Sequence, residues 1–517
     1  MYKWFILWLW TSVACAQTDD KSPQNSFEKF LGQVQNREFD LLIQGGQILD
    51  GAGGGAFPAD VLIQRDTVSF IGVVDTALIR CGRIISASGK LITPGFIDMH
   101  AHGNPLQEEN FANFLAQGVT TICLGMDGTS PAYDRLEEWF ALVNQKPHGV
   151  NIVPFVGHGT IRLLTGSGYK TSLTQDDLNK MTTYLDQALH AGCFGLSTGL
   201  EYTPGYQAQD EELLALARVV GTHDGLITSH LRNEDDQALE SSIQELARQG
   251  KYARVNISHF KSVYGKGRER GMLLRQVVDS LRRSGVTLTA DIYPYTASFT
   301  GISILFPEWA KPPFNYQQVL KTRRQELVAY LHQKVMSRNG PQATLLGTKP
   351  HVGKTLADLA NEQNRPFAEV LAEMGPGSAS AAYFVMDEVV LKTLLEDSLT
   401  MVCSDGSPDM FHPRGYGSFT KIIQEYVLKD SLLSLAQAVH KMTGLSAQTL
   451  RLSKRGILKA GNYADLAVFD PTDLEAKATF VSPHQKSQGM SLVIVNGKIA
   501  WEKASVISLP GKLLLKN

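Results

Sequence analysis

From residue 93 onward one pattern recurs. A short apolar run ends in a polar or glycine-rich turn, and helix-like stretches separate most of the runs. Eight runs are present, over residues 95–102, 120–128, 150–159, 193–202, 226–234, 255–262, 286–295 and 399–406. Between the fifth and sixth lies "DDQALESSIQELARQG" (235–250), and the stretch 172–192 carries apolar residues at three- and four-residue steps, as an amphipathic helix requires. That helix is expected to start at a Ser172 or Thr174 cap and to stop at Gly192. Strands alternating with helices imply a parallel sheet, and eight units fit a closed (β/α)8 TIM-like barrel of the α/β class. Chemistry on such a barrel sits at the C-terminal ends of the strands.

The unusual residues fall at those ends: His100 and His102, Asp127, His158, Glu201, His230, His259, Tyr293 and Asp405. A random scatter of 13 histidines would not line up in this way. In "GFIDMHAHGN" the residues Asp98, His100 and His102 alternate along a strand and so share one face. Two imidazoles a residue apart on one face can grip one metal ion. A pair of surface histidines at a strand edge would look the same in isolation.

The interval 296–398 between the seventh and eighth runs is far longer than the others and reads as a lid or subdomain over the pocket. At the two ends of the chain, 39–74, 461–471 and 491–501 alternate β-formers with turns. The simplest arrangement packs segments 38–92 and 457–517 into one small β-sandwich beside a barrel spanning 93–456. Residues 1–16 place Lys3 before a short apolar core that is too short to span a bilayer, as in a signal peptide. "ACA" at 14–16 suits a signal peptidase, and Cys15 equally suits a lipoprotein signal with a lipid anchor. Residues 17–37 are polar and read as a tether. Export to the periplasm or the extracellular space is the expectation, with no membrane span.

With 517 residues, 43% of them hydrophobic, and a formal net charge of -2, the chain suits one large soluble enzyme with an accessory domain. The balanced charge gives no hint of a nucleic-acid partner. Apart from Cys15, the cysteines at 81, 123, 193 and 403 are scattered, so no disulfide framework is expected.

The motifs "PGFIDMHAH", "VGHGTIR", "GLSTGLEYTPG", "SHLRNE", "ISHFK", "DIYPYTAS", "CSDGSP" and "HPRGYGSF" together resemble the amidohydrolase superfamily. Within it they resemble the N-acyl-D-amino-acid deacylases, or D-aminoacylases, over about residues 38–505. The resemblance implies a metal set of His100, His102, His230, His259 and Asp405, holding one or two Zn2+ per subunit with an open position for water. One departure stands out. These deacylases carry a metal-binding cysteine in a "GNCG"-like turn after strand two, where this chain reads "GMDG" and offers Asp127. Glu201, after strand four, is the rival ligand, and whether Asp127, Glu201, both or neither touches the metal stays open at the level of sequence. By the same likeness Lys261 binds the substrate carboxylate, with Tyr293 (or Tyr295) and Ser298 as hydroxyl partners. Arg232 is a further candidate because its planar fork can bind a carboxylate. His158 and Arg162 could contact substrate or brace the site, and His412 could face the ligand or hold a turn.

The expected reaction is removal of the acyl group from N-acyl-D-amino acids by zinc-activated water, with Asp405 as general acid and base. A dipeptidase for D-residue or isoaspartyl dipeptides is the neighbouring enzymatic alternative. A non-catalytic binding protein on a decayed barrel is the alternative from another class, although the four histidines and Asp405 argue against decay.

Overall fold

The structure is a computed structural model that describes residues 23–34, 37–108 and 110–516. The leader, Cys15 and residues 17–22, 35 and 36 of the expected tether lie outside the described residues. The described part is not a free tether but carries helix Pro23–Leu31, whose Phe27 and Leu31 pack against Phe39, Leu62 and Phe70. The barrel strands are β1 (Phe96–Asp98), β2 (Val119–Leu124), β3 (Asn151–Pro154, resumed as Val156–Gly157) and β4 (Gly195–Gly199). They continue as β5 (Leu226–His230), β6 (Arg254–Ile257), β7 (Leu288–Ile292) and β8 (Thr400–Val402). Each pairs in parallel with the next. A parallel bridge from Ala101 to Gly406 joins the last strand to the first, where Asp405 N donates to His100 O at 2.7 Å and His102 N to Gly406 O at 2.8 Å. The eight runs read as near-continuous apolar stretches because both faces of the strands are covered; Ile97, Ile122, Ile152, Ile227, Val255, Ile292 and Val402 are all buried.

Helix Gln175–His190 shows how the outer layer is specified. Thr174 caps it reciprocally with Asp177, and Leu178, Met181, Leu185 and Leu189 form the buried stripe. Of the two caps the sequence offers, Thr174 is the one used. The chain ends meet in a nine-stranded sheet that runs from Thr67–Gly72 through Phe57–Gln64, Glu38–Ile48, Leu91–Pro94 and Leu466–Phe469 to Ser505–Val506. Its apolar core draws on both ends, with Leu41, Ile43, Val61 and Ile92 against Leu466, Val468, Leu492 and Ile494.

The long interval before β8 folds around a core of its own that includes Ile302, Leu305, Phe306, Leu331, Val335, Leu371 and Tyr383. Three antiparallel strands, Ser298–Gly301, Thr344–Leu346 and Ser380–Tyr383, tie it together. The described cysteines at 81, 123, 193 and 403 are all free thiols.

Beneath β8, Lys441 is buried and donates to the backbone oxygens of Asp397 and Thr400. Burial pulls its ammonium down to about 8. The unfolded chain then binds more protons than the folded one between about pH 8 and the ordinary lysine value near 10.5, so Lys441's contribution to stability rises with pH across that window. Lys441→Met is expected to flatten the increase. Urea titrations of both proteins at pH 7.5 and 9.5 check this, and an unchanged slope in the variant contradicts it.

Candidate active site

Asp127 follows β2, His259 follows β6 and Asp405 follows β8, and all three hold left-handed backbone, with φ of 53°, 36° and 49°. Side chains other than glycine adopt this region at a cost of order 1–3 kcal/mol, and such residues concentrate at functional sites. Here they belong to one cluster at one rim of the barrel.

His100 is fully buried, and neither of its ring nitrogens is in hydrogen-bond geometry with a neighbour among the described residues. Its Nε2 lies 3.3 Å from Asp127 Oδ1 and 3.7 Å from Asp405 Oδ1. Asp98, one strand step deeper, fixes the turn by accepting from the backbone N–H groups of His100 and Ser404. His102 Nε2 sits 3.1 Å from Asp405 Oδ1 and 3.5 Å from Asp127 Oδ2. On the other side of Asp127, His259 Nε2 lies 3.3 Å from Oδ1 and His230 Nδ1 3.8 Å from it. The His230 and His259 rings meet at 2.9 Å, and His230 Nε2 is 2.9 Å from Glu201 Oε2. The site therefore brings together every metal-ligand candidate of the sequence, with Asp127 between the two pairs of histidines.

These donors fit a divalent cation. Ligand atoms of His100, His102, Asp127 and Asp405 all lie within 4.8 Å of one another, as do those of Asp127, His230 and His259, and those of Glu201, His230 and Glu234. Imidazole and carboxylate are the donor set zinc takes. The electrostatics point the same way. Burial opposes charge on Asp127, but the facing His100 and His259 rings outweigh it and hold the carboxyl well below its usual range. Burial and Lys261 press His259 toward neutrality, yet Glu234, Asp405 and Asp127 push it up to about 10. So many carboxylates in a buried site call for positive charge at its centre.

Two residues that sequence reasoning passed over complete the support. Glu234 Oε1 accepts from Lys261 Nζ at 2.7 Å and lies 3.2 Å from His259 Nδ1. Burial disfavours its charge, but Lys261 and His230 overcome this and keep it ionised far below the ordinary glutamate range. Arg414 Nη1 lies 2.6 Å from Asp405 Oδ2. Burial likewise opposes the charge on Asp405, and Arg414 together with His259 depresses its carboxyl strongly. Both residues stand inside motifs quoted above, "SHLRNE" and "HPRGYGSF", but nothing in a linear motif says which neighbour a charge will meet.

A cavity of about 320 Å³ opens over the cluster, and Lys261, Tyr293, Ser298 and Arg414 line it alongside His102, His230, His259 and Asp405. Arg414 stacks on Tyr293 at 4.8 Å, and Lys261 lies 5.9 Å from the same ring. Tyr295 is not among the lining residues. It packs edge-on to His412, which holds a turn: its Nε2 lies 3.1 Å from Ala297 O and its Nδ1 accepts from Arg414 N.

Of three candidate substrate contacts, Arg232 is turned elsewhere, and His158 and Arg162 take the second of the two roles open to them, that of braces. Arg232 is occupied by Glu245 and by the carbonyls of Tyr206 and Ala208, which take four of its five N–H groups and turn its fork away from the cavity. His158 and Arg162 stand on the short helix after β3 and share Glu212 at 2.7 Å and 2.5 Å. Both are completely buried, and neither they nor Arg232 border the cavity. Their place in the structure is that of braces behind the rim.

An N-acyl-D-glutamate deacylase of Alcaligenes xylosoxydans xylosoxydans is 31% identical to this chain, with 93% of this chain and 97% of the relative aligned. The chain belongs to the N-acyl-D-amino-acid deacylase family of amidohydrolases. A D-aminoacylase of the same organism is 29% identical over 92% of this chain and 96% of its own length. The amidohydrolase family profile matches residues 357–500. The crystal structure of the N-acyl-D-glutamate deacylase of Bordetella bronchiseptica, complexed with zinc and a phosphonate mimic of the reaction's tetrahedral intermediate, matches with a TM-score of 0.80 at 30% identity. That match covers 92% of this chain and 100% of the other. Membership of this deacylase family makes the protein a hydrolase of amide bonds, with the barrel and β-sandwich architecture that the sequence predicts.

Proposed function

We propose that the protein removes the acyl group from N-acyl-D-amino acids with zinc held by His100, His102, His230, His259 and Asp405, with Asp127 and Glu201 available as further ligands. One observation carries the proposal: a cation-binding cluster shares its cavity with two buried cationic side chains, Lys261 and Arg414. A substrate that is both an amide and a carboxylate fits that juxtaposition. Zinc bound there would polarise the acyl carbonyl and lower the pKa of its water to about 7.

Asp405 is the base in this scheme. Arg414 keeps it ionised, so it can take a proton from water and pass it to the departing amine nitrogen. Such transfers are worth about 10²–10⁴-fold in rate. Lys261, held against Glu234, and the Tyr293 hydroxyl receive the carboxylate of the amino acid. The leader-like first sixteen residues support an exported enzyme.

The test is a panel of N-acyl-D-amino acids, their L-enantiomers and dipeptides, assayed with zinc-loaded protein. Release of free amino acid from the D-series is the expected result. Preference for the L-series or for dipeptides would overturn the proposal. Chelation with dipicolinate is expected to abolish turnover and Zn2+ to restore it, with metal content followed by atomic absorption. Full activity in metal-free protein would contradict the scheme.

A further inference from the structure

The cavity over the metal cluster extends toward the insertion, where Asp235, Val263, Thr300, Ile304 and Arg338 border it. Arg338 directly follows helix Arg324–Ser337 and is only 2% exposed. Its Nε has no hydrogen-bond partner among the described residues. Its Nη1 lies 3.7 Å from Asp235 Oδ1, beyond hydrogen-bonding reach. The other neighbours are the Tyr383 ring at 5.1 Å and the Tyr264 ring at 5.9 Å, with the Tyr264 hydroxyl also beside the guanidinium. Asp235 is shared with Lys334, again at 3.6 Å. Two cations thus face one carboxylate, and neither closes on it.

Buried guanidinium groups ordinarily form charge-assisted bonds of about 2.7–2.9 Å. A buried donor left without a partner is costly, and one that borders a catalytic cavity is placed to be satisfied by what enters it. Lys261 and Arg414 already serve the carboxylate that every N-acyl amino acid carries. We propose that Arg338 receives a second carboxylate of the substrate, which makes the preferred substrates dianionic N-acyl amino acids. This inference rests on the deacylase reading above. The second carboxylate can come from an acidic side chain or from a dicarboxylic acyl group, and both present the same oxygens to Arg338.

The experiment compares N-acetyl-D-leucine, N-acetyl-D-glutamate and N-succinyl-D-leucine on zinc-loaded wild type, Arg338→Met and Arg338→Lys. The wild type is expected to favour one or both dianionic substrates at least tenfold in kcat/KM over N-acetyl-D-leucine. Whichever is favoured identifies the source of the second carboxylate. Arg338→Met should raise KM for that substrate by about 30-fold or more, with N-acetyl-D-leucine changed less than threefold and Arg338→Lys partly restored. A wild type that treats all three alike, or prefers the neutral one, overturns the proposal while leaving the deacylase reading intact. Equal losses on every substrate in Arg338→Met would assign Arg338 a structural role and overturn it too. No turnover of any of the three by wild type would overturn the deacylase reading and this inference together.

Discussion

Asp405→Asn is expected to keep its metal and lose about 10³-fold or more in kcat, the upper part of the range for one proton-transferring group. The substitution preserves the shape that fits between His102 Nε2 at 3.1 Å and Arg414 Nη1 at 2.6 Å. It removes the charge, and with it the ability to accept a proton from water. An amide oxygen can still face the cation, so metal content measured by atomic absorption should stay near the wild-type value. KM should move little, because Lys261, Tyr293 and Arg414 remain to hold the carboxylate. Near-normal turnover in a metal-replete variant would remove Asp405 from the chemistry. Loss of the metal along with the activity would make it a ligand first and leave the base unassigned.

Glu234→Ala is expected to destabilise the fold by about 3–5 kcal/mol, the usual cost of taking one partner from a buried ion pair. Glu234 is the counter-charge for Lys261 at 2.7 Å and also touches His259 at 3.2 Å, and all three side chains are buried. Without it, the Lys261 ammonium stays desolvated 2.7 Å from His259 Nδ1, and the ring loses the first of the three carboxylates that push it toward protonation. The pair Glu234→Leu with Lys261→Met removes both charges, and it should recover most of the lost stability while leaving substrate binding weak. Denaturant titration of the single and double variants checks this. Additive losses in the double variant would show that Glu234 acts through something other than Lys261.

How much of this could be read without coordinates depends on how far each contact reaches along the chain. The barrel was legible because every strand announces itself locally, as an apolar run ending in a polar turn. The cluster was legible for the same reason: His100, His102, Asp127, His230, His259 and Asp405 each mark a strand end, and barrel topology alone brings strand ends together. Arg232 misled because its partner, Glu245, stands 13 residues on, in helix Leu239–Gln249. For His158 and Arg162 the choice between substrate contact and brace stayed open in the sequence because Glu212, which decides it, comes from a later helix, 54 and 50 residues away. Arg338 was invisible for a different reason. It sits inside the 296–398 insertion, whose packing no periodic pattern foretells, and its relation to the cavity exists only once that segment has folded around its own core.

The most direct measurement is an anomalous difference map at the zinc edge from crystals of the zinc-loaded protein. The account predicts density inside the barrel rim, bounded by the imidazoles of His100, His102, His230 and His259 and by the carboxylates of Asp127 and Asp405. Strong density confined to the surface group of Asp186, His190 and His223, whose ligand atoms also lie within 4.8 Å of one another, with none at the rim, would contradict it.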